Sequence, residues 1–180
     1  NGKTTTSTLL KYVLEQNSLR VLQNDSGANL LSGIASVLAL KAQGTGRLPF
    51  DAAIFEVDEN TLPQVLEHIK PDALLLLDLF RDQLDRYGEI NTIALKWQNA
   101  IRKLSSSTTL VINGDDPGLR LIAEDSKASI VYFGVEEELM NKKELSHDVD
   151  FVYCPRCHTK LTFHKISYSH LGKYECKKCG

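Results

Sequence analysis

The strongest chemical signal in the sequence comes from its four cysteines, which lie in two Cys-x-x-Cys pairs. Cys154 and Cys157 form the first pair, and Cys176 and Cys179 follow after eighteen intervening residues. Two such pairs supply four thiolates for one tetrahedral zinc ion, with each pair presented by a tight turn. Because four cysteine ligands leave no open coordination position, the pattern predicts a structural zinc site that folds a small ribbon.

The cysteine-rich segment allows other interpretations, which its surroundings disfavour. Two disulfides are typical of secreted chains, and the sequence shows no secretory feature. A redox Cys-x-x-Cys pair would not need a second copy. The segment also contains histidines with ligand chemistry, but the complete cysteine set predicts surface or packing roles for them: His158, His164 and His170.

The first residues of the chain read as the second half of a phosphate-binding loop, Asn1-Gly2-Lys3-Thr4-Thr5. In the complete motif, backbone N–H groups cradle phosphates, the lysine reaches them and the hydroxyl holds magnesium. A Gly-Lys-Thr triplet is also typical of an ordinary helix start. An amphipathic helix over residues 5–16, with an apolar stripe at Leu9, Leu10, Val13 and Leu14, favours the loop. Because the leading glycines are missing, we expect a piece of a longer polypeptide.

Acidic residues follow an apolar strand at Phe55-Glu56-Val57-Asp58-Glu59. A carboxylate at the carboxyl end of a strand faces the ligand crevice of a parallel sheet, and carboxylate oxygens suit magnesium. Glu56 is the candidate magnesium ligand, with Asp58 and Glu59 behind it or exposed. Acids that merely solvate a strand end are the alternative.

Two further polar segments follow predicted strands. Residues 78–89 contain Asp78, Gln83 and Asp85 among alternating charges, and residues 113–117 contain Asn113 and Asp116. Their position at strand ends favours a place at the same crevice. A solvated helix start and a simple turn are the respective alternatives.

These segments must be positioned by alternating strands and helices. Short apolar runs predict strands over residues 20–23, 52–57, 73–79, 109–112 and 129–133. Helices are predicted over residues 30–41, 62–68, 90–104 and 118–124. The alternation is typical of an α/β fold with a mostly parallel sheet covered on both faces. We expect an ATPase-like domain over residues 1–135, a charged connector over 136–150 and a zinc ribbon over 151–180.

Composition narrows the possible functions. The net charge is −2 and the pI near 6.2, which does not favour a nucleic-acid or anionic-membrane surface. The longest apolar run, residues 73–77, is far shorter than the about 20 residues of a membrane span. With no signal or transit peptide, we expect a soluble, cytoplasmic protein.

In their order along the chain, residues 1–6, 55–59, 79–89 and 113–117 resemble the central ATPase domain of the Mur ligases. The sequence Arg-Asp-Gln-Leu-Asp-Arg-Tyr-Gly-Glu and the four-cysteine ribbon are similar to the MurT branch of that family, which extends the resemblance to the whole chain. The resemblance implies a P-loop fold that uses ATP and Mg²⁺, with Zn²⁺ in the ribbon. It further implies the bacterial synthetase subunit that amidates the D-glutamate α-carboxyl of lipid II through an acyl phosphate. Ammonia would come from a glutaminase partner, GatD.

The resemblance also implies roles for individual residues. Lys3 and Glu56 would be catalytic, and Thr4 and Glu56 would hold magnesium. The nucleotide would be bound by Asn1, Gly2, Lys3, Thr4, Thr5 and Asn29. Gln83 stands where amino-acid-adding relatives carry a metal-binding histidine, and Asp78 where the family often has asparagine. Lys96 falls near the position of a carbamylated lysine of those enzymes.

Two alternative functions remain at this point. One is an amino-acid-adding or folylpolyglutamate-type ligase of the same fold. The other, of a different class, is a zinc-ribbon binding module on a regulatory nucleotide-binding domain. The basic residues of the ribbon support the second alternative: Arg156, Lys160, Lys165, Lys173, Lys177 and Lys178.

Overall fold

The computed structural model describes residues 2–24, 27–79, 89–136 and 151–180, with the backbone alone at 89–91. The chain divides into two compact units, Asn1–Ile69 and Lys70–Gly180. Both contain parallel strands that alternate with helices, so the predicted α/β class is confirmed. Within the described residues, no helix combines the length and the apolar character that a membrane crossing requires.

The first unit is built on two parallel strands. Its elements are α1 (Lys3–Gln16), β1 (Val21–Gln23), α2 (Leu31–Lys41), β2 (Ala52–Ile54) and α3 (Leu62–His68). Strand β1 pairs with β2 from Val21↔Ala52 to Gln23↔Ile54. The core is made of side chains from β1 and the two later helices: Val21, Leu22, Ile34, Leu62 and Val65. A proline at the first turn of α3 suits a helix start, since its missing N–H has no intrahelical partner there.

Helix α1 contacts the end of β1 through a polar side chain, and its apolar stripe is largely exposed. Leu9 and Val13 are 62% and 48% exposed, whereas Ser7 is buried. The Ser7 hydroxyl accepts a 3.0 Å hydrogen bond from the Gln23 side chain at the end of β1. The apolar stripe of α1 is therefore largely exposed in this unit, and the hydrogen bond to the end of β1 comes from a polar residue outside that stripe.

The second unit combines a three-stranded parallel sheet with the ribbon. The sheet order is β3 (Ala73–Leu76), β4 (Thr109–Asn113) and β5 (Ser129–Phe133), and the helices are α4 (Glu89–Ile101) and α5 (Pro117–Ala123). The core lies between the central strand and the helices: Ile101, Leu110, Ile112, Leu119 and Ile122. The ribbon is an antiparallel pair, β6 (Thr162–Tyr168) and β7 (Leu171–Glu175).

Strands β2 and β3 end three residues earlier than the apolar runs predict. In both cases the backbone beyond the end of the strand forms hydrogen bonds with a side chain instead of with the neighbouring strand. The Asn24 amide binds the backbone of Glu56, and the Asp116 carboxylate binds the N–H of Leu79. The apolar pattern alone does not distinguish a residue in the sheet ladder from one held by a side chain.

Candidate functional site

The end of the phosphate-loop motif and the acidic strand end meet in the first unit. Gly2 has a φ of 76°, a left-handed conformation that suits glycine, and α1 begins at the next residue. Lys3 Nζ lies 2.5 Å from Glu59 Oε1. The Thr4 hydroxyl donates a 2.9 Å hydrogen bond to Glu56 Oε1. The structure thus brings together an ammonium, a hydroxyl and two carboxylates, which are the groups expected around a phosphate and a divalent cation.

Glu59 is charged in this arrangement. Burial raises the pKa of its carboxyl, but the hydrogen bond from Lys3, a backbone hydrogen bond and the charge of Lys3 together leave the pKa below its usual value. Lys3 and Glu59 are each about one-third exposed, so a ligand can reach the pair from solvent. Glu59 was expected only behind Glu56 or exposed, and its direct contact with Lys3 is a feature that the residue pattern did not indicate.

Asn24 is a site residue that the sequence analysis missed. Its side chain is buried, at 4% exposure, and fixes Glu56 from both sides. Oδ1 accepts from the Glu56 N–H at 2.8 Å, while Nδ2 donates to the carbonyls of Glu56 and Ala28, each at 2.8 Å. An asparagine placed directly after β1, where the carboxyl ends of parallel strands meet, was the available signal.

Asn29 lies in the same unit, close to the acidic segment. Its carbonyl accepts a 3.0 Å hydrogen bond from the Asp58 N–H. The Asp58 side chain accepts from the N–H of Asn60 at 2.9 Å, so it shapes the turn before α3. Thr5, on the first turn of α1, is exposed.

The other candidates fall in the second unit or outside the described residues. Asn113 ends β4, and its Oδ1 accepts from the Asp115 N–H at 3.0 Å. Asp116 caps α5 with 2.8 and 3.2 Å hydrogen bonds from the backbone of its first turn. Lys96 is exposed on α4, and Asp78 is half-buried after β3. Asn1, Gln83, Asp85 and most of the predicted connector lie outside the described residues.

The four cysteines converge in the ribbon. All four sulfur atoms lie within 4.8 Å of one another. Four of the Sγ pairs are 3.4 to 3.7 Å apart. A tetrahedral zinc ion with Zn–S bonds of about 2.3 Å places its sulfurs about 3.8 Å apart, whereas a disulfide needs about 2.0 Å. The donor set and its spacing therefore fit zinc and not disulfides.

The environment of the cluster gives two of its thiols different pKa values. Hydrogen bonds from the side chain and backbone of Thr159 lower the pKa of Cys157 to about 6. Hydrogen bonds with the neighbouring cysteines raise the pKa of Cys179 to about 12, and the bond with Cys176 has the largest effect. A bound cation would stabilise all four as thiolates, because a metal-bound thiol is deprotonated.

The histidines of the ribbon have packing and surface positions, as expected. His170 is fully buried at the β6–β7 turn, with its ring centroid 5.2 Å from that of Phe151. His164 is exposed, with Nε2 3.1 Å from Glu175 Oε2. His158 is exposed in the turn after Cys157.

Comparison with known proteins shows what the chain is similar to. Residues 1–177 match the Mur ligase middle domain. The chain is 35% identical over its whole length to "Lipid II isoglutaminyl synthase (glutamine-hydrolyzing) subunit MurT" of Staphylococcus aureus and of Streptococcus pneumoniae. It spans 39% of the length of those relatives. A UDP-N-acetylmuramoylalanine--D-glutamate ligase of Bacillus pumilus is 28% identical over 82% of the chain, and the match spans 30% of that relative.

Solved structures show the same fold. A pseudomurein peptide ligase type C from Methanothermus fervidus matches the whole chain with a TM-score of 0.69 and 27% identity, over 34% of its own chain. The MurF ligase of Thermotoga maritima, solved with ADP, matches 76% of the chain with a TM-score of 0.57 and 22% identity, over 31% of its own.

Proposed function

The chain belongs to the Mur ligase middle-domain family, and on that premise we propose that it is the ATPase core of an enzyme that amidates lipid II. The reaction converts the α-carboxyl of D-glutamate in the stem peptide to the amide of D-isoglutamine. The observation that carries the proposal is the 35% identity over the whole chain to MurT subunits of two bacteria. The chain spans 39% of the length of those relatives, so the activity of the whole enzyme is part of the proposal.

The chemistry requires activation of an unreactive carboxylate. A carboxylate oxygen of the substrate attacks the γ-phosphorus of ATP, the bond to the β-phosphate oxygen breaks, and ADP leaves. Ammonia then attacks the carbonyl carbon of the acyl phosphate. Phosphate departs with the electrons of the C–O bond, and the nitrogen loses a proton to leave the amide. The protein mainly positions the reactants and stabilises the charge that develops on the transferred phosphoryl group.

The site geometry supports roles for four side chains. Lys3, held by Glu59 at 2.5 Å, is placed at the start of α1, where its ammonium can move from the carboxylate to a phosphate oxygen. Thr4 and Glu56, whose oxygens are 2.9 Å apart, would hold Mg²⁺, since hydroxyl and carboxylate oxygens suit this hard cation. Magnesium there offsets negative charge on the γ-phosphate. Asn24 keeps Glu56 in place, and Asn29 lies beside the same segment.

The partner and the zinc ion complete the proposal. Ammonia is supplied by a glutaminase subunit of the GatD type, and the enzyme works in the cytoplasm on a lipid-linked substrate. Zinc bound by Cys154, Cys157, Cys176 and Cys179 is structural, because the cysteines fill its coordination shell.

The test uses the full-length protein together with its glutaminase partner. Phosphate release from ATP should require lipid II and either glutamine or free ammonia. Lys3→Ala should lower turnover by a factor of about 10³, because the lysine stabilises charge in the transition state. Lys11→Ala is the matched control, since Lys11 lies on the same helix and its Nζ is 3.9 Å from a carboxylate oxygen of Glu15, one turn away. Amidation that survives Lys3→Ala would refute the assignment.

One alternative has its own support, the likeness to D-glutamate-adding and peptide ligases at 26% to 28% identity. Those proteins share the fold and would share the phosphate chemistry. Supplying ammonia or single amino acids as the nucleophile separates the two functions. Turnover with an amino acid and none with ammonia would favour the alternative.

A further inference from the structure

The Asn113–Pro117 turn contains a buried carboxylate that holds two elements at once. Asp116 is 0% exposed. Its Oδ1 accepts from the N–H groups of Gly118 and Leu119, which caps α5. Its Oδ2 accepts a 2.9 Å hydrogen bond from the N–H of Leu79, beyond the end of β3. One carboxylate therefore fixes both the start of a helix and the point where the chain leaves the sheet.

The ribbon contacts this carboxylate at the same oxygen. His170 is also 0% exposed, and its Nε2 lies 3.7 Å from Asp116 Oδ2. Phe151 packs beside both elements, because its ring centroid lies 5.2 Å from that of His170 and a Cβ added at Gly118 would lie 2.5 Å from its ring. A buried carboxylate is costly without compensating polar neighbours, and the imidazole is such a neighbour of Asp116, beside its backbone hydrogen bonds and just beyond hydrogen-bonding distance.

Additional contacts hold the ribbon against the turn. The Gly172 N–H, in β7, donates a 3.1 Å hydrogen bond to the Asp115 carbonyl. Arg156, in the turn of the first cysteine pair, forms an ion pair with Glu124 after α5. The ribbon is therefore packed on the sheet unit at two separate places, not merely connected to it along the chain.

We propose that the tip of the zinc ribbon is a positioning element for the carboxyl end of β3, which it controls through the contact of His170 with Asp116. Leu79 lies near the start of residues 78–89, the polar segment that the sequence predicts at the ligand crevice. The ribbon then bears on the position of Leu79 at the start of that segment, although its cysteines lie at another part of the ribbon. The link to turnover rests on the proposed function; the link to Leu79 does not.

Hydrogen exchange in the full-length, zinc-loaded protein tests the structural link. We expect His170→Phe to speed exchange of the Leu79 amide about tenfold, because the acceptor of its hydrogen bond loses a polar neighbour. His170→Gln, which keeps an N–H near the position of Nε2, should stay within about twofold of the wild type. His164→Phe makes the same substitution at an exposed ribbon position and should leave Leu79 unchanged.

Two further arms close the test. If His170→Phe speeds exchange throughout the second unit, His170→Asn is used in its place, because its side chain is too short to reach Asp116. Removal of zinc with a chelator should reproduce the faster exchange at Leu79, because a ribbon of this size depends on its metal to fold. Unchanged exchange at Leu79 in His170→Phe, or equal acceleration in His170→Gln, would overturn the proposal.

Kinetics separate this inference from the proposed function. In the amidation assay, His170→Phe should lower kcat about tenfold and leave the KM for ATP within about twofold, because the phosphate loop is not involved. His170→Gln should restore kcat. If the wild type does not amidate lipid II, the proposed function fails, and the exchange data still decide the role of His170. If the wild type amidates but Leu79 does not respond, only this inference fails.

Discussion

Replacement of Asn24 by alanine tests whether the strand-end carboxylate is held for magnesium. The side chain makes three hydrogen bonds, two to the backbone of Glu56 and one to the carbonyl of Ala28, all of 2.8 Å. Alanine removes all three and leaves the half-buried N–H of Glu56 without the acceptor it now uses. Thr4 and Lys3 are not altered by the substitution, so the change acts on the position of Glu56.

The magnitude follows from the number of bonds. Each hydrogen bond contributes about 1 kcal/mol net, so the substitution destabilises the segment by about 3 kcal/mol. If about half of this free energy is lost from Mg²⁺ binding because Glu56 is displaced, the Mg²⁺ concentration for half-maximal ATP binding rises about tenfold. A difference of 1.4 kcal/mol corresponds to a factor of about ten. Asn24→Asp keeps the acceptor for the Glu56 N–H but loses both donated bonds, and should fall close to alanine.

The assay is nucleotide binding to the full-length protein, titrated with Mg²⁺ at fixed ATP. Asn17→Ala is the matched control, because Asn17 is exposed and its side chain donates one 2.8 Å hydrogen bond to the Val13 carbonyl. It should change the Mg²⁺ requirement by less than about twofold. If Asn24→Ala behaves like Asn17→Ala, Asn24 does not position a magnesium ligand, and the reasoning fails.

The remaining predictions concern the Lys3 pair, the ribbon turn and the metal. Glu59 has a lowered pKa in the folded state, so its stabilising contribution is present above its unfolded pKa of 4.5 and is lost as pH falls through the folded value. The melting temperature of Glu59→Gln should therefore fall less steeply below about pH 5 than that of the wild type. Gly172→Ala should unfold the ribbon, because its Cβ would lie 2.0 Å from the Lys165 carbonyl oxygen, whereas Gly44→Ala, with nothing within 4 Å, should be tolerated; zinc content and circular dichroism distinguish them. Elemental analysis should find one zinc per chain, lost in Cys154→Ser and retained in His164→Ala; loss of zinc in His164→Ala would contradict a cluster of four cysteines.

The sequence predicted the fold where hydrophobic pattern and turn chemistry agree. Helix α3 begins and ends at the expected residues because Pro63 marks its first turn, and β5 coincides with its β-branched run. The cysteine cluster also follows directly from spacing. These features are local, so few other contacts compete with them.

The features that sequence reasoning missed depend on side-chain contacts across long separations. Asn24 and Glu56 are 32 positions apart, and Asp116 and Leu79 are 37. Neither asparagine nor aspartate after a strand indicates which backbone group it will bind. The bond from α1 to β1 is of the same kind, since it joins Ser7 to Gln23 and the apolar pattern of the helix does not indicate it.

Beyond the carboxyl ends of β2 and β3, the backbone is bound by one polar side chain in each case, Asn24 and Asp116 respectively. The bonds that set the register of the sheet are therefore different from the bonds that hold the residues after each strand. A substitution at Asn24 or Asp116 removes bonds to the residues beyond the strand end, while the backbone bonds that pair the strands do not involve either side chain.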